Sequence, residues 1–140
     1  MKKCLITLVA LILAFNSFAG QQQEKKPVRI AIAGLSHDHV IPLLRNFKTQ
    51  DFELVGIFES NKELAQRYAE EFKIDKNIIF NSLEEMLDKT KPDGVVTFTS
   101  IFDHLKVVEA CAPRGIDVMV EKPLAVSNRH AEAMEKLVEK

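Results

Sequence analysis

The chain has 140 residues, with 19 Lys and Arg against 20 Asp and Glu, a formal net charge of −1 and neither sign gathered into a block. That balance excludes the basic stripe of a nucleic-acid binder. There is no internal repeat and, beyond a short run of glutamines, no low-complexity segment.

At the amino terminus, Lys2 and Lys3 precede an apolar run over residues 5–15, and Ser17-Phe18-Ala19 supplies the small-x-small pattern that signal peptidase cuts behind. Residues 1–19 are expected to form a Sec-type export signal, residues 20–27 a polar linker, and residues 28–140 one domain. The apolar run is short for a permanent span, and glutamines and charges follow it, so no stable membrane span is expected. With no twin arginine and no cysteine at the cleavage point, the expected route is unfolded export to the periplasm or cell envelope. About 120 residues then remain, enough for one domain with a real core but small for two. Cys4 leaves with the signal. Cys111 stands alone in an apolar helical pattern, where it is expected as a buried, inert thiol.

Short, nearly continuous β-branched runs at Val28–Ala33, Phe52–Phe58, 77–80, 94–98 and 116–120 predict strands buried on both faces. Apolar residues at three- and four-residue spacing predict helices over 40–48, Lys62–Phe72, 82–88, 104–112 and 128–139. Asn61 is a helix start, and Ser82 with Glu85 three residues on makes a capping box. Lys91-Pro92-Asp93-Gly94 and Pro113-Arg114-Gly115 are turns that introduce strands. The strict alternation of strand and helix predicts an α/β fold: a doubly wound parallel sheet in a three-layer αβα arrangement with right-handed crossovers.

In such a sheet, ligands lie beyond the carboxyl ends of the strands, and the first strand-to-helix turn offers backbone N–H groups to a diphosphate. The first turn here reads Gly34-Leu35-Ser36-His37-Asp38-His39. Gly34 suits the tight turn, whereas Ser36 and His39 stand where a strict G-x-G-x-x-G has its other glycines. The Ser36 hydroxyl adds a donor while its β-carbon narrows the approach. His39 and the following Pro42 predict a helix that begins at Val40 or later, since proline is tolerated only in the first turn. Taken alone, this turn fits a nucleotide site and an ordinary strand–helix connection equally.

Glu59 closes the second strand about 25 positions after Gly34, near the spacing at which an acid accepts from the adenosine ribose hydroxyls. Its charge would repel a 2′-phosphate, which favours NAD over NADP. A solvated carboxylate or a helix cap is the alternative. At the fifth strand, "VMVEKPLAVS" (118–127) ends in two charged residues and a proline, placing Glu121 and Lys122 at the ligand edge of the sheet.

Here the chain resembles the Gfo/Idh/MocA family of glucose-fructose oxidoreductase, inositol dehydrogenase and rhizopine catabolism proteins, which carry a Glu-Lys-Pro tripeptide at this point. Glu121-Lys122-Pro123 matches that tripeptide, residues 34–39 the phosphate turn, Glu59 the ribose acid, and residues 99–104 (T-S-I-F-D-H) the loop after the fourth strand. The resemblance spans roughly 28–140. It implies a Rossmann domain for NAD, less readily NADP, with Gly34, Leu35, Ser36, His37, His39, Glu59, Thr99, Ser100, His104, Glu121 and Lys122 at the cofactor. It further implies that Lys122 is catalytic, beside the nicotinamide and the reacting carbon of a sugar-like substrate. Ser36, His39 and Ser100, the last where the family has proline, depart from the pattern. Family members continue into a sheet-rich substrate domain through which homo-oligomers can form, so the chain looks like the amino-terminal part of an oxidoreductase, inactive by itself. A binding module without redox chemistry, and glycoside cleavage through transient oxidation by a resident NAD, are the alternatives. Four histidines, His37, His39, His104 and His130, show no metal-ligand spacing, so no metal is expected.

Overall fold

A computed structural model describes residues 26–49 and 51–139. The expected export signal lies outside the described residues. Strand β1 (Val28–Ala33) is followed by helix α1 (Val40–Asn46) and a 3-10 turn, then β2 (Phe52–Phe58), α2 (Lys62–Phe72), a second 3-10 turn and β3 (Ile79–Phe80). After these come α3 (Leu83–Thr90), β4 (Gly94–Thr97), a 3-10 turn into α4 (His104–Cys111), β5 (Asp117–Val120) and α5 (Asn128–Val138). The five strands form one parallel sheet in the order β3-β2-β1-β4-β5. The order reverses direction between β1 and β4, which opens a crevice at their carboxyl ends.

Local chemistry sets the helix starts. The Asn61 side chain accepts from the Glu63 and Leu64 amides, each at 3.1 Å, and so opens α2. Ser82 Oγ accepts the Glu85 amide at 3.2 Å and opens α3. The return half of the expected capping box does not form, because the Glu85 carboxylate pairs with Lys89 Nζ at 2.7 Å, one turn along the helix. Helix α1 begins at Val40 with Pro42 in its first turn, as the proline requires.

The crossovers place α1 and α2 on one face and α3 and α4 on the other. Ile32 and Ile57 point to the first face with Val40, Leu44 and Tyr68; Ala31, Ala33, Val55 and Val95 point to the second with Leu83, Met86, Leu87, Val107 and Cys111. This period-two division of the strands is what a sheet covered on both faces demands. Helix α5 packs on α4 and buries Met134.

Two expectations change. Residues 77–80 are not a full strand: the Asp75 carboxylate accepts the Asn77 amide at 2.9 Å and draws Lys76–Ile78 into a 3-10 turn, so only Ile79–Phe80 joins the sheet. Such a local side-chain bond competes directly with sheet pairing. Strand β5 is not buried on both faces either. It is the sheet edge, alternating exposed and half-buried, with Met119 61% exposed. Among the described residues no helix is long and apolar enough to cross a membrane.

Candidate functional site

The crevice gathers residues from four separate stretches of chain. Gly34 has φ +83° and its amide donates to the Phe58 carbonyl at 2.8 Å. A β-carbon at Gly34 would lie 2.6 Å from Thr99 Cγ2 and 2.8 Å from the Thr99 Cα. Glycine is therefore demanded twice, by the backbone conformation and by the close approach of the loop after β4.

The turn is anchored on three sides. Its Leu35 amide donates to Glu59 Oε2 at 2.7 Å, Ser36 Oγ to the Phe98 carbonyl at 3.1 Å, and the His37 amide to the same carbonyl at 3.0 Å. Among the described residues, the Ser36 and Asp38 amides make no hydrogen bond. They are the turn's two open donors, on the same segment that the sequence places against a diphosphate. The Ser36 hydroxyl, expected as an added donor to ligand, is already used to hold the turn on Phe98, the residue after β4.

Glu59 is neither solvated nor a simple helix cap. The side chain is buried, and its two oxygens accept from the Leu35 amide at 2.7 Å and the Asn61 amide at 2.8 Å. The Ser60 hydroxyl also donates to Oε1, at 3.5 Å, so with two acceptor directions on each carboxylate oxygen it is Oε2 that keeps one for a further donor.

Thr99 Oγ1 lies 3.0 Å from Thr97 Oγ1 and donates to the Ser100 carbonyl at 3.1 Å. The Ser100 hydroxyl donates to Asp103 Oδ2 at 2.5 Å and accepts the Asp103 amide at 3.4 Å. Serine thus caps the 3-10 turn. His104 is fully buried, with Nδ1 3.2 Å from the Leu124 carbonyl on the loop after β5. Its Nε2 is buried without a partner among the described residues.

Glu121 reaches back to the first turn: its Oε1 lies 2.9 Å from His39 Nδ1, and its Oε2 accepts the Lys122 amide at 3.1 Å. The hydrogen bond with His39 chiefly holds the Glu121 carboxyl below its ordinary range, against partial desolvation that pushes the other way. His37 and His39 meet edge to face with ring centroids 4.5 Å apart. Lys122 is exposed and, among the described residues, forms no ion pair. The structure therefore brings residues 34–39, Glu59, Thr99, Glu121 and Lys122 to one edge of the sheet, with His104 buried at the start of α4 and tied to the loop after β5. The His39–Glu121 contact was invisible in the sequence, since nothing in the spacing of residues 82 apart announces it.

A groove of about 910 Å³ lies elsewhere, between β5 and α5, lined by Val108, Ile116, Val118, Val120, Met134 and Leu137. None of the candidate residues lines it. Its apolar lining follows from the unpaired edge of β5 and is unrelated to the polar groups of the crevice.

Residues 28–140 match the sequence model of the Gfo/Idh/MocA group, described as an oxidoreductase family with an NAD-binding Rossmann fold. The UDP-N-acetylglucosamine 3-dehydrogenase of Acidithiobacillus ferrooxidans is 27% identical over 111 residues, 76% of this chain and 32% of that protein. The fold matches myo-inositol 2-dehydrogenase from Lactobacillus plantarum with a TM-score of 0.69 at 21% identity, over 81% of this chain and 33% of that one. It also matches the WlbA dehydrogenase of Bordetella pertussis, solved with NADH and UDP-GlcNAcA, with a TM-score of 0.69 at 25% identity, over 82% and 34% of the two chains. The chain spans about a third of the length of the curated relatives it matches.

Proposed function

The chain belongs to the Gfo/Idh/MocA oxidoreductase family and contains its NAD-binding Rossmann domain, and on that premise we propose that it binds NAD(H) in the crevice between β1 and β4, as the cofactor half of an enzyme that oxidises or reduces a sugar-like polyol. The observation that carries this reading is the first turn. Gly34 at φ +83° packs on Thr99 and leaves the Ser36 and Asp38 amides open at the carboxyl edge of the sheet. Those two donors take the diphosphate.

Glu59 sets the choice of cofactor. Buried and bound by two backbone amides, it stands at the ribose end, where a carboxylate repels a 2′-phosphate. NAD is therefore preferred to NADP. Glu121 and Lys122 stand at the opposite end of the site, on the loop after β5. Lys122, exposed and without an ion pair among the described residues, is the group that donates to the substrate oxygen and offsets the charge that changes during hydride transfer. The cofactor supplies the hydride chemistry; the chain binds and orients it.

The substrate class follows from the relatives, which include dehydrogenases of an inositol and of a nucleotide-linked sugar. A secondary alcohol on a polyhydroxylated ring is their shared feature. The amino-terminal pattern of residues 1–19 supports export to the periplasm or cell envelope, where the folded domain would acquire NAD after translocation. Sequencing the terminus of protein recovered from the envelope tests the location: a start at Gly20 or Gln21 is expected, and an intact Met1 on a cytoplasmic pool would contradict it. Calorimetric titration with NAD+ and NADP+ tests the cofactor.

A further inference from the structure

The geometry points to a binding site for a divalent transition-metal ion formed by His37, His39 and Glu121, which would tie the first strand–helix turn to the loop after β5. One donor atom from each of the three side chains lies within 4.8 Å of the other two. Two imidazoles and a carboxylate are the donor set that suits zinc, manganese and ferrous iron.

Three features make this a built arrangement. First, the backbone carrying the two histidines is fixed: the His37 amide donates to Phe98, and the His37 and Asp38 carbonyls accept the Val40 and Ile41 amides at 3.1 and 3.0 Å. Second, outer partners orient two of the ligands. The Lys122 amide holds the far oxygen of Glu121 at 3.1 Å, and the His39 amide donates to His37 Nδ1 at 3.3 Å, which fixes the orientation of that ring. Third, His39 Nδ1 and Glu121 Oε1 already lie 2.9 Å apart, so the fold brings two of the three donors together across 82 positions of sequence.

Around a four-coordinate ion with bonds of ~2.0–2.2 Å, ligand atoms sit about 3.3–3.6 Å apart. From a spread of up to 4.8 Å the widest pair must close by about 1.2–1.5 Å, and the His39–Glu121 pair, at 2.9 Å, must open by about 0.4–0.7 Å. Side-chain torsions suffice, because His39 is 52% and His37 32% exposed. With three protein ligands at a partly open surface, at least one coordination position is left to water or to an oxygen of a bound molecule. No other cluster of three such groups occurs among the described residues, beyond this one.

The site is tested without nucleotide, so its failure leaves the cofactor reading untouched. Zn2+ is titrated into the tag-free chain against a chromophoric chelator, and Co2+ binding is followed by its visible absorption. One equivalent is expected to bind with a dissociation constant in the micromolar range or tighter, to raise the melting temperature, and to give a Co2+ spectrum free of sulfur-to-metal charge transfer. His37→Ala, His39→Ala and Glu121→Gln should each weaken binding by at least about tenfold. Glu121→Gln keeps the hydrogen-bonding shape, and circular dichroism of each variant verifies folding. His130→Ala, outside the cluster, should bind as the parent does. Absence of saturable Zn2+ binding, or equal binding by parent and all three folded variants, would overturn the proposal and leave His39–Glu121 as a hydrogen-bonded latch only.

Discussion

The Glu59 carboxylate holds the Leu35 amide at 2.7 Å, so the end of β2 clamps the turn that leaves β1. The same carboxylate holds the Asn61 amide at 2.8 Å at the start of α2. A buried hydrogen bond to a charged acceptor contributes about 1.5–3 kcal/mol, and loss of the acceptor strands a buried N–H. Glu59→Ala should therefore lower unfolding free energy by at least about 2 kcal/mol in urea, before any ligand is added. NAD affinity, measured well below the melting transition, should fall as well. A Glu59→Ala protein as stable as the parent would remove the clamp.

The two glycines at positive φ predict different sensitivities. A β-carbon at Gly34, φ +83°, would lie 2.6 Å from Thr99, whereas one at Gly115, φ +66°, would have nothing within 4 Å. Gly115→Ala should cost only the backbone strain, about 1 kcal/mol. Gly34→Ala adds overpacking of about 1–3 kcal/mol. Combining it with Thr99→Ser should recover only part of the loss, because the Thr99 Cα and N would also lie within 2.8 Å of the new β-carbon. Equal destabilisation at the two glycines, measured by chemical denaturation, would contradict the close approach.

Cys111 is fully buried between α4 and the sheet, and desolvation pushes its thiol up to about 11, with Arg114 opposing the rise. At pH 8 the thiolate is then about one part in a thousand, so alkylation should report unfolding and not surface reactivity. Because the folded thiol holds its proton more tightly than the unfolded one, the linked stability is fully present below the ordinary value of 9.0 and is lost as pH rises through about 11. Peptide mapping after iodoacetamide treatment should find Cys111 unmodified in the native protein. The parent should also lose stability relative to Cys111→Ala between pH 9 and 11. Rapid native labelling would place the thiol at the surface.

Lys122 separates chemistry from structure. Since it is exposed and unpaired among the described residues, Lys122→Met should leave the melting temperature within a degree or so of the parent, as surface substitutions do. Where turnover of a polyol with NAD is measurable, the same change should lower kcat about a hundredfold with NAD affinity nearly unchanged. A large drop in stability would assign the lysine to the scaffold.

Much of the architecture was legible in the sequence because its signals are local. Strands β1 and β2 and helix α2 have the predicted limits, since β-branched runs, the Asn61 cap and apolar spacing act within a few residues. The 3-10 turn at Lys76–Ile78 was missed because the Asp75 side chain, not the apolar pattern, decides that backbone. The exposure of β5 was missed because edge position depends on strand order, which no single run of residues encodes. At the site, the Gly-turn, Glu59 and Glu-Lys-Pro were visible as motifs. Their partners were not: Glu59 with the Leu35 amide, Ser36 with Phe98, His104 with Leu124 and His39 with Glu121 are contacts between distant segments. Only the fold brings them together.

The cofactor claim is tested most directly by isothermal titration of the chain with NAD+ and, separately, NADP+ at the same pH and salt. Saturable binding of one NAD+ is expected, with NADP+ weaker by at least about tenfold through repulsion of its 2′-phosphate by Glu59. NADP+ binding as tight as or tighter than NAD+, or no binding of either, would contradict the account.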